Sequence, residues 1–408
     1  MSRVVFINAT VLDVVAGQLL PDRHVAVEGE RIAAVDSGRP TTGGDVRVID
    51  AQGRVLMPGL CDAHVHVTAA TPDLASLERW STSYVVARSG EIMRAMLHRG
   101  FTTVRDAGGA DHGLAQAVRE KLLPGPRLLY CGKALSQTGG HGDMRLPGEV
   151  RLGQCPCCAG LGRICDGVPE IRRACRDEIR KGANQIKLMV SGGIASPTDR
   201  ISSTQFADEE INAAVEEAAA AEIYCMAHAY TPRAIRRAVV AGVRSIEHGN
   251  LLDQETAELM RDRGAFLVPT LATYDALARE GVEAGLPAAV QGKISQVLDA
   301  GLHALELAAA AGVRLAYGSD LLGSMHRHQL SEFSIRGAVQ RPIEVVRAAT
   351  LYAAELFQMT GHIGVVAPGA LADLLLVDGN PLDDLGVLQD PERYLKVIMQ
   401  GGGIVHSA

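Results

Sequence analysis

The hydrophobic and polar positions of this 408-residue chain follow two different patterns. Short apolar runs separated by turn residues occupy both ends of the sequence, which is a pattern typical of strands. In the middle, apolar residues recur at helical spacing, and a short apolar run follows each helical stretch, often after a glycine. The pattern therefore predicts β-rich ends around a middle in which helices and strands alternate.

The two ends predict the smaller part of the molecule. The predicted hairpins are His24–Glu28 with Arg31–Val35, and Lys396–Met399 with Ile404–His406. Each pair flanks glycine, which suits a tight turn between antiparallel strands. A further apolar run, Ala372–Val377, precedes the second hairpin. We therefore predict a small β-sandwich domain assembled from residues 1–57 and 362–408.

Helices and strands alternate through residues 58–361. One predicted helix begins at Thr231-Pro232, where a capping threonine precedes a first-turn proline, and ends at Gly242. The predicted strands are Val55–Leu60, Phe101–Asp106, Gln185–Val190, Ile223–Ala227, Val243–Glu247, Ala265–Pro269 and Arg314–Gly318. Roughly eight helix–strand units fit, which favours a closed (β/α)8 TIM barrel of the α/β class. An open doubly wound sheet is the alternative, but no glycine-rich nucleotide-binding loop follows a strand.

Composition and charge narrow the class of protein. Hydrophobic residues make up 47% of the chain and charged residues 21%, so a large core forms and extensive disorder is excluded. The net charge of −7 argues against binding to nucleic acid or to anionic membranes. No apolar run is long enough to span a bilayer, and the start reads as a strand. We therefore expect a cytoplasmic protein.

Four of the eight cysteines crowd into one segment: Cys155, Cys157, Cys158 and Cys165. A zinc site is one interpretation, but the segment lacks the paired C-x2-C spacing of zinc knuckles. We expect reduced cysteines in a loop.

Residue types that bind metals stand where the predicted strands end. His64 and His66 alternate after the first barrel strand, so their side chains share one face. His228, His248 and Asp320 follow later strands. Each histidine alone reads equally well as an ordinary core or surface residue. A barrel brings all its strand ends to one mouth, however, and the group as a whole indicates a metal site.

A lysine inside an apolar strand is the least expected residue of the set. Lys187 lies in the predicted strand Gln185–Val190. Burial of a lysine is unfavourable unless the amine is paired or neutralised. Taken alone, an ion-paired or partly solvated lysine is the simpler interpretation.

In their order along the chain, these residues resemble the amidohydrolase superfamily. That family places H-x-H after strand 1, a carboxylated lysine after strand 4, histidines after strands 5 and 6, and an aspartate after strand 8. The resemblance covers essentially the whole chain. It implies two divalent ions, expected to be Zn²⁺, with these ligands: His64, His66, Lys187, His228, His248 and Asp320.

The resemblance also implies a reaction. Lys187, its pKa depressed by burial, would react with CO₂ to give a carbamate that bridges the ions. A hydroxide shared by the ions would attack a polarised carbonyl. Asp320 would accept the proton of the hydroxide and deliver it to the leaving group.

Three further segments, 134–143, 191–199 and 227–232, resemble those of prolidase-like Xaa-Pro dipeptidases and N-acyl-amino-acid hydrolases. Carried over from that resemblance, His141 and Tyr230 contact the substrate, either at the scissile carbonyl or at its α-carboxylate. An exposed loop histidine and a packing tyrosine are the structural alternatives. The implied function is hydrolysis of an amide beside a free carboxylate, in a dipeptide or N-acyl amino acid. The family also suggests a homo-oligomer.

Other functions stay open at this point. The same centre would serve a cyclic amide or imidazolone, a lactone, a carbamate, or a xenobiotic amide such as a mycotoxin, because barrel loops change the substrate without changing the metal site. A barrel that only binds is disfavoured, since such a protein would be expected to have lost a ligand residue.

Several other polar residues fall near the same mouth. Arg105 and Arg327 are alternative clamps for a substrate carboxylate. Asp62 and Asp106 are candidates to orient the ligand histidines. The second H-x-H motif, at residues 326–328, is expected to be exposed.

Overall fold

The computed structural model of the chain describes residues 3–38, 46–150, 157–286 and 288–407. The chain divides into two compact units. The first comprises Met1–Asp62, Arg94–Thr103 and Phe333–Ala408, and the second comprises Ala63–Met93 and Val104–Glu332.

The secondary structure alternates as the sequence pattern predicts. The strands are β1 (Arg3–Asp13), β2 (Gln18–Glu28), β3 (Arg31–Ser37), β4 (Val46–Asp50), β5 (Val55–Pro58), β6 (Leu60–Val65), β7 (Phe101–Asp106), β8 (Arg127–Tyr130), β9 (Ala134–Ser136), β10 (Gly162–Ile164), β11 (Gln185–Met189), β12 (Tyr224–Ala229), β13 (Ser245–His248), β14 (Phe266–Val268), β15 (Arg314–Leu315), β16 (Leu374–Val377), β17 (Leu395–Gln400) and β18 (Gly403–Ser407). The helices are α1 (Leu74–Leu77), α2 (Thr82–His98), α3 (His112–Arg119), α4 (Gly167–Arg180), α5 (Asp208–Ala220), α6 (Pro232–Ala241), α7 (Gln254–Asp262), α8 (Leu271–Glu280), α9 (Ala288–Ala311), α10 (Ser331–Gly337), α11 (Pro342–Ala348), α12 (Leu351–Leu356) and α13 (Pro391–Tyr394). Short 3-10 helices lie at Gly323–His328 and Leu385–Leu388.

Strands from both ends of the chain form one sheet in the first unit. Its order is β18-β17-β16-β5-β1-β2-β3, and β4 pairs with β1. The two predicted hairpins are confirmed as the antiparallel pairs β2–β3 and β17–β18. The prediction that both ends contribute strands to one β-rich part is therefore confirmed. Its strands belong to one continuous hydrogen-bonded sheet instead of two separate ones.

The core of this sheet draws on both ends of the chain. Val4 and Phe6 of β1 pack in one buried cluster with Leu374 and Leu376 of β16. Full burial of such a side chain contributes about 1.5–3 kcal/mol. The shared apolar core thus stabilises a sheet whose strands are far apart in sequence.

Parallel strands form the frame of the second unit. One sheet has the order β10-β9-β11-β12-β13-β14-β15, and another has the order β6-β7-β8. Backbone hydrogen bonds link the two sheets at both sides. Ala63 N donates to Tyr317 O at 2.7 Å, just after β15, and Asn184 N donates to Tyr130 O at 2.8 Å, where β8 meets the segment before β11. Hydrogen bonds at both sides of the two sheets are the connections expected of a (β/α)8 barrel.

Helix α6 illustrates how local sequence sets the boundaries. The Thr231 hydroxyl accepts a hydrogen bond from Ala234 N, and Pro232 is the first helical residue. The helix ends at Gly242, whose φ of 101° lies in the left-handed region that favours glycine. These signals were readable from the sequence, and the predicted boundaries are confirmed.

One predicted strand is wrong. The run Val55–Leu60 is two strands, because the chain breaks at Gly59. Strand β5 pairs with β1 and β16, whereas β6 begins at Leu60 and carries the first histidines. A Cβ atom at residue 59 would lie 2.2 Å from Thr102 Oγ1, so close packing requires a glycine here.

The apolar periodicity predicts helices at Glu91–Arg99 and Leu302–Ala311. Both helices begin earlier than that, and one strand is shorter than predicted. Helix α2 begins at Thr82 and α9 at Ala288. The apolar periodicity marked only part of each helix. Strand β15 ends at Leu315, although Ala316 N still donates to Leu267 O at 3.0 Å.

Two further predictions concern membranes and cysteines. Among the described residues, no helix combines the length and apolarity that crossing a bilayer requires. Cys155 lies outside the described residues. The prediction of reduced cysteines is wrong for Cys157, which is disulfide-bonded, and is confirmed for Cys158 and Cys165.

Candidate active site

The carboxyl ends of the barrel strands bring the predicted ligand side chains together. The side chains that line one cavity here include His64, His66, Lys187, His228, His248 and Asp320. The four imidazole rings form a chain in the order His66, His64, His248 and His228, and successive ring centroids lie 5.3, 5.0 and 4.6 Å apart. The lysine and all four histidines are buried, and the Asp320 side chain is 19% exposed.

Three of these residues form a compact donor cluster. Asp320 Oδ1 lies 3.4 Å from His64 Nε2 and 3.3 Å from His66 Nε2. One ligand atom from each residue lies within 4.8 Å of the others. Imidazole nitrogens with a carboxylate oxygen are a donor set that zinc and similar divalent ions favour. The cluster therefore fits a metal ion.

Two residues of the site have a left-handed backbone that side chains rarely adopt. Asp320 has a φ of 52°, and His248 has a φ of 74°. A backbone hydrogen bond to β6 holds the first of these, because Asp320 N donates to His64 O at 2.8 Å. Such strain costs on the order of 1–3 kcal/mol and is frequent where the backbone must aim a functional side chain.

A buried carboxylate orients His64. Glu247 Oε2 lies 2.7 Å from His64 Nδ1, and Glu247 Oε1 accepts from Arg105 Nη2 at 3.0 Å and from the Ser245 hydroxyl at 2.7 Å. Burial would raise the pKa of Glu247, but Arg105 and His64 together hold it well below its ordinary value. Glu247 is therefore an anion that directs His64 Nε2 toward Asp320.

Sequence reasoning missed Glu247 and misplaced Arg105. Glu247 is a charged residue at the end of an apolar strand, which is the same signal that drew attention to Lys187. Arg105 is fully buried, and its Nε also donates to Ala63 O at 2.7 Å. This placement contradicts the prediction that Arg105 clamps the substrate. Arg327 is exposed and pairs with Glu280, and neither arginine lines the cavity.

Lys187 is almost fully buried in β11. Burial lowers the pKa of its amine, and the negative charges of Glu247 and Asp320 only partly oppose this. A lowered pKa increases the fraction of neutral amine, the form that reacts as a nucleophile. The carboxylation of Lys187 stays a prediction.

His228 and His248 are held as neutral rings. Burial lowers the pKa of both well below the ordinary value, and the nearby Lys187 lowers both further. His228 Nε2 lies 3.1 Å from Gly192 O, and His248 Nδ1 lies 2.8 Å from Thr270 Oγ1. In each ring one nitrogen is engaged and the other is left for a ligand. Neutral imidazole is the form that binds metals.

The loop after β7 supports His66. His66 Nδ1 donates to Gly108 O at 2.9 Å. Asp106 accepts hydrogen bonds from Gly108 N at 2.9 Å and from Val67 N at 2.8 Å. Asp106 therefore shapes the backbone around His66 and binds the ring only through Gly108. Asp62, the other predicted orienting residue, is fully buried.

His141 and Tyr230 lie beside the second pair of histidines. The His141 ring stacks on His228 with centroids 4.2 Å apart, and the Tyr230 ring lies 4.9 Å from His228. His141 is 9% exposed, so it is not the exposed loop histidine of the structural alternative. The Tyr274 hydroxyl donates to the Tyr230 hydroxyl at 3.0 Å, which leaves the Tyr230 proton free to point elsewhere. Burial raises the pKa of Tyr230, so the phenol stays protonated.

The rest of the cavity wall is largely apolar. Besides the six predicted ligand residues and His141, it includes Leu74, Glu78, Gly142, Met144, Leu161, Gly162, Met189, Ala195 and Leu322. Tyr230 is not one of the lining residues and lies behind His228 and His248 at ring-contact distance. Glu78 adds a carboxylate to this wall, which sequence reasoning had not singled out.

The second H-x-H motif does not behave as predicted. His326 is buried, and its Nε2 lies 3.2 Å from Ala69 O, so the prediction that it is exposed is wrong. His328 is half-buried and pairs with Glu280. Neither residue lines the cavity.

Comparison with known proteins gives a consistent picture. The amidohydrolase family model matches residues 55–403. Ochratoxinase from Aspergillus niger is 33% identical over 368 residues, which cover 86% of this chain and 76% of that protein. The crystal structure of a prolidase in complex with N-methylphosphonate-L-proline is 50% identical, with a TM-score of 0.97 and full coverage of both chains. A Xaa-Pro dipeptidase with bound methionine is 26% identical, with a TM-score of 0.89 and full coverage of both chains.

Proposed function

The chain belongs to the amidohydrolase family and is a hydrolytic enzyme, and from that premise we propose that it cleaves an amide bond adjacent to a free carboxylate. Its substrates are Xaa-Pro dipeptides or N-acyl amino acids. The observation that carries the proposal is the convergence of the His64–His66–Asp320 cluster, the buried Lys187 and the His228–His248 pair on one cavity. The 50% identity to a prolidase bound to a proline phosphonate supports the choice of substrate class.

The donor residues divide into two sets in this proposal. His64, His66 and Asp320 would hold one divalent ion, and His228 with His248 would hold a second, with Lys187 as a further ligand residue. Zinc fits these nitrogen and oxygen donors. When bound, the ions activate water and polarise the carbonyl of the substrate.

Asp320 moves the proton in this proposal. Burial opposes its ionisation, but His64, His66 and His248 lower its pKa well below the ordinary value, so the carboxylate is ionised. Its Oδ1 faces His64 and His66. An ionised carboxylate accepts the proton of the attacking water and then passes it to the leaving nitrogen.

His141 and Tyr230 bind the substrate in this proposal. The Tyr230 hydroxyl accepts from Tyr274 and therefore has its own proton to donate to a carbonyl or carboxylate oxygen. Donors fixed before the reaction stabilise developing negative charge without reorganisation. His141 lines the cavity together with the predicted ligand residues, from the segment after β9.

A second candidate substrate is a xenobiotic amide, favoured by the 33% identity to ochratoxinase. Cyclic amides, lactones and carbamates are further candidate substrates, because their hydrolysis would use the same metal centre. The cytoplasmic location and the homo-oligomeric state also stay predictions.

A substrate panel with metal analysis tests the proposed function. Xaa-Pro dipeptides, N-acyl-prolines, N-acyl-arginines, cyclic amides and a mycotoxin amide are compared by kcat/KM, before and after chelation and restoration of zinc. We expect carboxylate-bearing amides to be preferred and chelation to abolish turnover. Full activity of metal-free enzyme, or an active Lys187→Ala variant without added short carboxylic acids, would contradict the mechanism.

A further inference from the structure

A second polar cluster lies beside the metal-binding residues and ends on His141. It contains Ser196, Asp199, Gln205 and Lys293. Ser196 and Gln205 are at most 2% exposed, Asp199 is 9% exposed, and the Lys293 side chain is 16% exposed. Polar groups buried to this degree are stable only when their hydrogen bonds are satisfied. The pattern of those bonds therefore indicates what the cluster does.

Asp199 is the acceptor at the centre of the cluster. Its Oδ2 accepts from Gln205 Nε2 at 2.8 Å and from Gly193 N at 3.2 Å, and its Oδ1 faces Lys293 Nζ at 3.3 Å. Ser196 Oγ also donates to Asp199 Oδ1. With an ammonium group and three further donors around it, Asp199 is held as a carboxylate that only accepts.

The hydrogen bonds of Ser196 determine which ring nitrogen of His141 is protonated. A hydroxyl has one proton, and the proton of Ser196 goes to Asp199 Oδ1 because a carboxylate oxygen can only accept. Ser196 Oγ also lies 3.4 Å from Gly193 O, a carbonyl oxygen that can only accept. The contact of 2.8 Å between Ser196 Oγ and His141 Nδ1 must then be a bond in which Nδ1–H donates. His141 Nδ1 is therefore protonated, and Nε2 is the nitrogen available to the cavity.

Lys293 anchors the loop that carries the serine and the aspartate. It reaches this loop from α9 and donates to Gly193 O at 2.9 Å, Ser196 O at 2.8 Å and Asp199 Oδ1 at 3.3 Å. These three acceptors use all three protons of the ammonium group. The lysine thus ties both the backbone and the carboxylate of the loop to one point on a helix.

Gly193 lets this loop lie flat against the histidine. A Cβ atom at residue 193 would lie 2.1 Å from His141 Cε1. A second hydrogen bond, from His141 N to Gln205 Oε1 at 2.9 Å, fixes the backbone of the histidine. The ring is therefore held from its edge, its face and its backbone.

Hydrogen bonds lead from Asp199 through Ser196 to His141, and we call this chain of contacts the relay. Its residue types are those of a nucleophilic triad, but their order excludes that chemistry. In a triad the serine proton goes to the histidine, whose other nitrogen binds the aspartate. Here the serine stands between the two and gives its proton to Asp199. A serine whose proton is already bound to a carboxylate directs the histidine instead of attacking a substrate.

We propose that Ser196, Asp199 and Lys293 are positioning residues that hold His141 in one tautomer and one orientation. Nδ1–H faces the loop, and Nε2 faces the substrate. This inference rests on the proposed function for its effect on catalysis, but the tautomer itself is a property of the resting protein.

Spectroscopy on the resting protein tests the tautomer without any substrate. Long-range ¹H–¹⁵N spectra of protein labelled with ¹⁵N-histidine identify which ring nitrogen carries the proton, and the His141→Ala variant assigns the signal. We expect His141 to show a protonated Nδ1 in the wild type and to lose this single state in Ser196→Ala and Lys293→Met. A protonated Nε2 in the wild type, or an unchanged signal in both variants, would overturn the proposal.

Kinetics then test whether the relay acts through His141. His141→Ala is expected to lower either kcat or kcat/KM. We expect Ser196→Ala and Lys293→Met to lower the same one of these two parameters, by about 10- to 100-fold. In the His141→Ala background neither substitution should have a further effect. Additive losses would show a merely structural role and overturn the proposal.

A matched control and one further readout complete the design. Lys121→Met removes an exposed lysine of the same unit and should leave kcat, KM and the spectrum unchanged. Bound zinc is measured in every variant. A wild-type protein that cleaves no amide would refute the proposed function alone, because the spectroscopic result would still decide the relay.

Discussion

The carboxylate of Glu247 takes part in a buried ion pair with Arg105 and also orients the ring of His64. One oxygen binds His64 and the other binds Arg105, and all three side chains are buried. A buried ion pair is weak evidence for stability as a whole, but the loss of one partner leaves the other charge buried and unpaired. The arginine therefore matters for the site although it never reaches the cavity.

Arg105→Met should destabilise the protein by about 3–5 kcal/mol, because Glu247 would lose its buried counter-charge. The free energy of unfolding in urea measures this. Arg236→Met is the matched control, since Arg236 pairs with Glu255 at the surface, and the expected change there is below about 1 kcal/mol. Equal losses in the two variants would contradict the argument.

Glu78 predicts a preference among the proposed substrates. Glu78 lines the cavity, as do Leu74, Leu161 and Met144, and we expect the acyl side of a substrate to lie along this wall. A dipeptide carries an ammonium group there and an N-acyl amino acid does not. We expect Glu78→Gln to lower kcat/KM for Xaa-Pro dipeptides about fivefold, the equivalent of about 1 kcal/mol, and to leave N-acyl-prolines unchanged. An equal loss for both substrate types would contradict the prediction.

Sequence reasoning placed some of these residues and missed others for a physical reason. His64, His66 and Lys187 stood out because polar residues at the end or in the middle of an apolar strand have few structural explanations. Lys293 had no such signal, since it lies in an amphipathic helix where an exposed lysine is ordinary. Only the tertiary fold shows that it reaches a loop 97 residues away.

At the scale of elements, periodicity and capping residues predicted most helices and strands. The error at Gly59 has a different origin, because an uninterrupted apolar run does not reveal that two strands of different sheets share it. Strand β5 lies between β1 and β16, whereas β6 begins the barrel. The need for glycine at the break comes from close packing against Thr102, which is distant in sequence.

Gly59→Ala should therefore disturb the junction between these two strands. The added methyl group would overlap the side chain of Thr102, which is buried at 1% exposure, and overpacking of this kind costs about 1–3 kcal/mol. Thermal unfolding measures the loss. Gly292→Ala is the control, because nothing lies within 4 Å of its Cβ position and alanine favours a helix. A Gly59→Ala protein as stable as the wild type would contradict the packing argument.

At the scale of the whole molecule, the buried histidines make stability depend on pH. Burial lowers the pKa of His141 from its ordinary 6.5 to about 4, and it lowers those of His228 and His248 as well. At these three histidines the unfolded chain binds protons in this interval and the native protein does not. Stability should therefore fall as the pH falls from 6.5 toward 4.

The His141→Phe variant isolates one part of this dependence. Its loss of unfolding free energy between pH 7 and pH 4.5, measured in urea on metal-free protein, should be smaller than that of the wild type by up to about 3 kcal/mol. His303→Phe is the control, because the His303 side chain is 72% exposed. Identical acid sensitivity of the wild type and His141→Phe would contradict the assignment.

The sheet built from both ends of the chain has a consequence for biosynthesis. Arg31 Nη1 donates to Gly369 O across 338 residues, and β5 pairs on one side with β16. On the ribosome, β5 will keep an open edge until β16 has been translated, after the whole barrel. Unpaired edges recruit other chains, so the nascent protein needs protection during this delay. Molecular chaperones are the natural source of that protection, and expression yield should respond to them more than to the stability of the finished fold.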